Sequence, residues 1–404
     1  MSTESSHSAK FSSELSPELS GALVLLMAVA CGTTVASLYY AQTLIDVIGP
    51  DIGLSIGFAG VIVTLTQLGY GFGLALIVPL SDLFENKRLV LIATAGSVVG
   101  SIGIATSTGP RTFLVASLVT GVCTVGAQIL VPLAAHLSSP ERQGRTIGLV
   151  MSGLLTGIML SRPVASFVAE HAGWRAVFVL SAVVTAAIGV ALAVHLPRRR
   201  PETRMHYGAI LGSTLALLRD HPQLRLRALY QALMFVAFNL FWTAAPLVLI
   251  HQFHFGQDGV ALFALAGAGG ALAAPIAGSL ADRGKARLTT VVAMLLLSLS
   301  FLAADWGVAA GSLAAFVATA ILIDSAVQLN QISGQKIIFA ISAEARGRIN
   351  AAYMAIIFLI GASGSLIGSA SYDAGGWRLA AMIGTGIGLL ALAIFAAFDR
   401  KKPA

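Results

Sequence analysis

Residues 174–201 read WRAVFVLSAVVTAAIGVALAVHLPRRRP. An apolar run spans 175–196, and three arginines between two prolines follow it at once. Roughly 20 such residues suffice to cross the hydrocarbon core of a bilayer as a helix. A basic cluster directly after the run marks the end expected to stay in the cytoplasm. Working outward, eleven further stretches have the same character. They lie near 21–46, 57–80, 88–107, 112–135, 146–169, 226–250, 258–281, 288–306, 312–332, 347–370 and 377–398. The fold class expected is therefore an all-α membrane protein of twelve transmembrane helices in two six-helix bundles. The expected organisation is a disordered cytoplasmic tail at 1–20, a bundle at 21–196 and a cytoplasmic linker at 197–225. A second bundle follows at 226–398, then a cytoplasmic tail at 399–404.

Composition agrees. Of the 404 residues, 56% are hydrophobic and 11% charged, where a soluble domain carries about 25% charged residues. The 42 glycines suit close helix packing in lipid, which favours small residues. A net charge of +7 does not point to nucleic acid, because the bases sit in short clusters between apolar runs. With the N-terminus assigned inside, 21 of the 25 Lys and Arg residues fall in inside loops and tails. That asymmetry predicts both termini in the cytoplasm, and a bacterial inner membrane as the location. Cys31 and Cys123 lie in apolar segments and read as reduced packing residues.

An internal repeat supports the division. Glu141-Arg142-Gln143-Gly144-Arg145 returns as Glu344-Ala345-Arg346-Gly347-Arg348, and Gly173-Trp174-Arg175 as Gly376-Trp377-Arg378, each 203 residues later. Such parallel repeats are related by an axis along the membrane normal.

The loop Gly278-Ser279-Leu280-Ala281-Asp282-Arg283-Gly284-Lys285 closely matches the pattern G-x-L-x-D-R-x-G-R/K, its Gly-Lys coming one residue early, and Pro79 to Arg88 holds a looser copy around Asp82. On these residues the chain resembles the major facilitator superfamily. Within it, Tyr39-Tyr40-Ala41-Gln42, Gln67-Leu68-Gly69-Tyr70 and Gln128 with Pro132 are similar to the drug:proton antiporter and sugar-efflux branch. Two positions depart from that branch. Ser117 stands where its fourth helix often has Arg, and Arg162-Pro163 stands where its fifth has Gly-Pro. The resemblance implies a secondary transporter without cofactor, driven by the proton gradient, acting as a monomer on a small-molecule substrate within the lipid bilayer. It also implies gating roles for Asp82, Arg88, Arg145, Asp282, Arg283 and Arg348.

The residues themselves nominate a site. Asp324 is the carboxylate clearly at depth in a span, in the tenth. Ionising a carboxyl there costs several kcal/mol unless it faces a cavity or a partner, which suits a group that loads and releases a proton. The bland alternative is a hydrogen-bonding anchor between helices. Gln328 and Gln331 follow on the same helical face. Arg162 sits about 24 Å along the fifth span at 1.5 Å per residue. It is expected to bind an anion, to pair with Asp46, or to snorkel outward. Tyr39, Tyr40, Gln42, Gln67, Tyr70, Gln128, Asn239, Trp242 and Tyr353 supply the remaining polar and aromatic residues at mid-depth. Each alone is more readily a packing residue than a ligand contact. In proteins of this fold spans 3, 6, 9 and 12 are peripheral, and here spans 3, 6 and 12 are plain apolar runs.

No Walker loop and no His/Cys/Glu spacing for a metal occurs, so an enzyme, a nucleic-acid partner and an ATP-driven pump are not expected. Export of a drug-like compound, sugar or metabolite is the first reading. Proton-coupled uptake of a small sugar or organic anion, with Arg162 reading the anion, is the second. A non-transporting sensor is a third, but no stretch is long enough for a folded signalling domain.

Overall fold

The computed structural model describes residues 20–399 apart from 140, 202–205, 268, 271–272 and 343–344. The two expected tails at 1–20 and 399–404 thus fall almost wholly outside the described residues. Helices follow one another along the chain as α1 (Gly21–Ala36), α2 (Ile45–Asp51), α3 (Ile56–Ala59), α4 (Val61–Leu76), α5 (Asn86–Ala105), α6 (Pro110–Cys123), α7 (Gly126–Leu137), α8 (Gln143–Ala172) and α9 (Trp174–His195). The second half holds α11 (Pro222–His251), α12 (Gln257–Gly267), α13 (Ala273–Asp282), α14 (Ala286–Ala309), α15 (Leu313–Phe339), α16 (Arg346–Gly361) and α17 (Ser363–Phe398). Between the halves the linker carries its own helix, α10 (Tyr207–Asp220).

These segments make twelve crossings. Nine described helical stretches are long and apolar enough to span a bilayer, and the last of them, Arg346–Phe398, contains two spans. Its bend lies at Gly375 and Gly376, where the backbone leaves the helical region. The first crossing is broken: α1 ends at Ala36, a short 3-10 turn covers Tyr40–Thr43, and α2 resumes at Ile45. The eighth is divided between α12 and α13. Non-helical backbone at membrane depth is tolerated where protein or a cavity surrounds it, and both breaks lie against the centre of the molecule.

The repeated Gly-Trp-Arg has a local cause. Gly173 (φ 80°) and Gly376 (φ 65°) both occupy the left-handed region as the chain enters the sixth and twelfth spans, a conformation that favours glycine. In the first half the next two residues fix the corner. Trp174 Nε1 donates to Asp51 Oδ2 at 2.9 Å and Arg175 Nη1 donates to the same oxygen at 2.5 Å. Those donors, Arg175 first, hold the Asp51 carboxyl below its ordinary range.

Packing inside each half depends on close backbone approach. A Cβ on Gly157 would lie 2.1 Å from Gly32 O, and one on Gly364 would lie 2.1 Å from Val236 O. α1 therefore meets α8, and α11 meets α17, with no room for a side chain. Large apolar residues point the other way. Val194, Leu262, Leu288 and Leu299 are exposed, a surface that water would penalise and lipid tails match.

α10 marks one end of the molecule, the linker face, and the α8–α9 corner marks the other, the far face. Hydrogen bonds joining the halves gather from mid-depth to the far face. Thr64 Oγ1 donates to Ala362 O at 2.8 Å and Gly60 N to Ser369 Oγ at 3.0 Å. Gln257 N donates to Glu170 Oε2 at 2.8 Å. At the far rim, His251 lies 3.5 Å from Asp46 and His171 lies 3.9 Å from Asp258.

Candidate functional site

The breaks in the first and eighth crossings face a shared centre. Gln42, on the 3-10 turn, and Gln67, on α4, come from the first half and are fully buried. They converge on Asn239 of α11, also fully buried. Asn239 Oδ1 accepts from Gln42 Nε2 at 3.1 Å and from Gln67 Nε2 at 3.0 Å. Its Nδ2 donates to Gln67 Oε1 at 2.7 Å and to Gly361 O at 3.0 Å. All four hydrogen-bonding positions of one side-chain amide are filled, three of them from the opposite half.

Gln42 also carries the link to Arg162. Its Oε1 accepts from Arg162 Nε at 3.0 Å. The guanidinium carbon lies 4.6 Å from the Trp242 ring centre, 4.9 Å from that of Tyr39 and 5.2 Å from that of Phe238. Trp242 then donates through Nε1 to Asp324 Oδ1 at 2.8 Å. Among the described residues no ion pair within 4.0 Å joins Arg162 to Asp324. One indole ring mediates between the two charges.

A glycine segment permits this. A Cβ on Gly267 would stand 2.4 Å from Trp242 Cζ2 and 3.0 Å from Asp324 Oδ2, and one on Gly270 would stand 2.3 Å from Asp324 Cβ. The chain passes so near the carboxylate that only glycine fits. Asp324 is partly buried. Arg162 is 4% exposed.

Magnitudes separate scaffold from function here. Each cation–π contact is worth about 2 kcal/mol or more when desolvated, whereas a charge at the bilayer centre costs from about 3 to well over 10 kcal/mol. Three rings and one amide do not make a structural case for a buried arginine when leucine would pack without that cost. The arrangement can hold a charged group, exchange a proton at Asp324, and couple both to the seam between the halves.

The remaining expected residues are distributed around this centre. Gln128 Nε2 donates to Tyr70 OH at 3.0 Å, and Tyr70 meets Phe358 of the other half edge to face at 4.7 Å. Gln328 is partly exposed one turn beyond Asp324. Tyr40 packs against the apolar cluster of the first half that contains Leu44 and Phe178. Tyr353 is buried beside Gly334, toward the linker face. Arg162 departs from two expectations: Asp46 lies against His251, and the side chain turns inward to aromatic rings, with no path to snorkel along.

The loop residues are also redistributed. Asp282 bonds Lys336 of α15 in its own half. Arg348 donates to Ser213 of the linker helix at 2.8 Å, and Arg348 and Arg199 are the bases whose charge bears on Asp82. Arg88, Arg145 and Arg283 are exposed on the linker face. Phe238, Gln231 and Asn330 were not anticipated. Asn330 Nδ2 donates to Gln231 Oε1 at 2.7 Å, and Gln231 Nε2 donates to Gln331 Oε1 at 3.4 Å. For Gln231 and Asn330 the advance signal was a side-chain amide within an apolar helix; Phe238 had none.

Two pseudo-symmetric six-helix bundles around a buried polar centre have the architecture of a multi-pass membrane transporter. The chain belongs to the Major Facilitator Superfamily, whose family model matches residues 22–270 and again 227–404. It is thus a multi-pass transporter and not an enzyme. It is 41% identical over 389 residues to a putative uncharacterized transporter, YgaY, of Escherichia coli K12, covering 96% of this chain and 98% of that one. It is 30% identical over 279 residues to a chloramphenicol resistance protein of Streptomyces lividans, covering 67% and 70%. The fold is shared with the xylose transporter XylE of Escherichia coli in a partially occluded inward open conformation. That likeness has a TM-score of 0.72 at 15% identity over 94% of this chain and 98% of that one.

Proposed function

We propose that the protein is a proton-coupled exporter of a small organic solute, working as a monomer by alternating access. The bundle at 21–196 rocks against the bundle at 226–398 around the Arg162–Trp242–Asp324 centre. The observation that carries this reading is the pair of opposite charges buried at the interface between the halves and separated by one indole ring. Asp324 takes the coupled proton, while Asn239 and its partners close the seam on the far side. The Streptomyces relative, named for chloramphenicol resistance, supports export over uptake. The deciding experiment follows internal pH in proteoliposomes carrying an imposed pH gradient. Addition of a transported solute should release protons down the gradient. No solute-dependent proton movement across a panel of neutral, cationic and anionic compounds would overturn the proposal.

This reading puts the linker face in the cytoplasm of a bacterial inner membrane, since the bases concentrate there. A phosphatase reporter inserted between Pro201 and Tyr207 should stay inactive and a cytoplasmic fluorescent reporter should mature there. Periplasmic phosphatase activity at that position would reverse the assignment.

A further inference from the structure

Arg162 has donors that the scaffold does not use. Its Nε is committed to Gln42 Oε1, but its Nη2 is buried and has no hydrogen-bond partner among the described residues. A guanidinium presents five N–H donors in a rigid fork, and a carboxylate is the group whose two oxygens match two of them side by side. Asp324 does not fill that role, because Trp242 Nε1 holds it. The open arm is framed by the rings of Tyr39, Phe238 and Trp242 at 4.6 to 5.2 Å from the guanidinium carbon.

We propose that Arg162 is the recognition point for the carboxylate of the transported solute, which is a small monocarboxylic acid with an apolar or aromatic body. Charge count favours a monoanion. Arg162 supplies one positive charge, which a monoanion matches, whereas a dianion such as a phosphate ester would add a second, unmatched negative charge beside Asp324 in a site of low dielectric. This inference rests on the central site being the substrate site.

The test needs no gradient, so it can fail separately from the proposed function. The purified full chain is titrated at fixed pH with acetate, butyrate, phenylacetate and benzoate, each beside its neutral amide, by calorimetry and by the shift in unfolding temperature. Charge-assisted bonds are worth about 1.5–3 kcal/mol, so benzoate and phenylacetate should bind about 10-fold or more tightly than their amides. Acetate should bind weakest for want of ring contact. Arg162→Gln should bring the acid-to-amide ratio to about 1, and Arg162→Lys should retain part of it. Absence of any acid preference in the wild-type protein overturns the proposal, whether or not the variants fold. So does an undiminished preference in Arg162→Gln. A protein that prefers the acids but moves no protons would overturn the coupling reading alone.

Discussion

Replacing Asp324 by asparagine should abolish solute movement driven by a pH gradient while leaving a folded protein. The amide oxygen can still accept from Trp242 Nε1, the bond that now holds Asp324 Oδ1 at 2.8 Å. Volume is unchanged, so the glycine passage at Gly267 and Gly270 remains filled as before. The ability to carry a proton is what disappears. A potential of 100 mV does about 2.3 kcal/mol of work per unit charge, which sets a concentration ratio of about 50-fold for one proton per solute. In Asp324→Asn the ratio should collapse to about 1, with passive solute exchange surviving. The measurements are gradient-driven flux and unfolding temperature on one preparation. A structural anchor predicts the reverse pattern, a lowered unfolding temperature with coupling intact. Full gradient-driven transport by a stable Asp324→Asn protein would exclude Asp324 as the coupling group and point to Asp46 or Asp305.

Gly60→Leu should trap the opposite conformation. A Cβ on Gly60 would lie 2.1 Å from Ser365 O and 2.5 Å from Ser369 Oγ, atoms of the other half. Backbone cannot yield as the tip of a side chain does, so a leucine there is incompatible with a closed far face. It meets nothing from the second half once the halves part. Moving a two-state equilibrium from 1:99 to 99:1 takes about 5.5 kcal/mol, and a side chain forced against backbone at this distance exceeds the usual 1–3 kcal/mol of overpacking. The readout is a single cysteine replacing Thr64, which is buried at the seam. Its maleimide labelling from the far face should accelerate about 100-fold in the Gly60→Leu background, and transport should fall to background. Equal protection with wild-type transport would refute the seam as a moving surface.

The twelve crossings were legible because hydropathy reports burial in lipid directly, and the halving because charge and repeat spacing are properties of the linear chain. The breaks in the first and eighth crossings were not. Tyr40–Thr43 reads Tyr-Ala-Gln-Thr, with no glycine or proline to mark a departure from helical geometry. Asp324 stood out for its cost at depth, and Trp242 and Asn239 as polar or aromatic residues at mid-depth. Arg162 was legible as an anomaly but not in its contacts. Its partner Gln42 lies 120 residues away, and no local pattern encodes a meeting that depends on how two bundles dock. For the same reason the motif around Asp282 did not reveal its partner, Lys336, 54 residues on.

Asn239 has one more consequence. Because every donor and acceptor on its amide is matched, the proposed rocking would leave the seam no half-open setting. Withdrawing Gln67 alone would strand polar atoms in a dry interior, at about 1–3 kcal/mol each, until water followed them in. Under the proposed rocking, parting the halves would therefore be a concerted wetting event, and the latch would act as a switch with two positions, not as a valve that can be throttled.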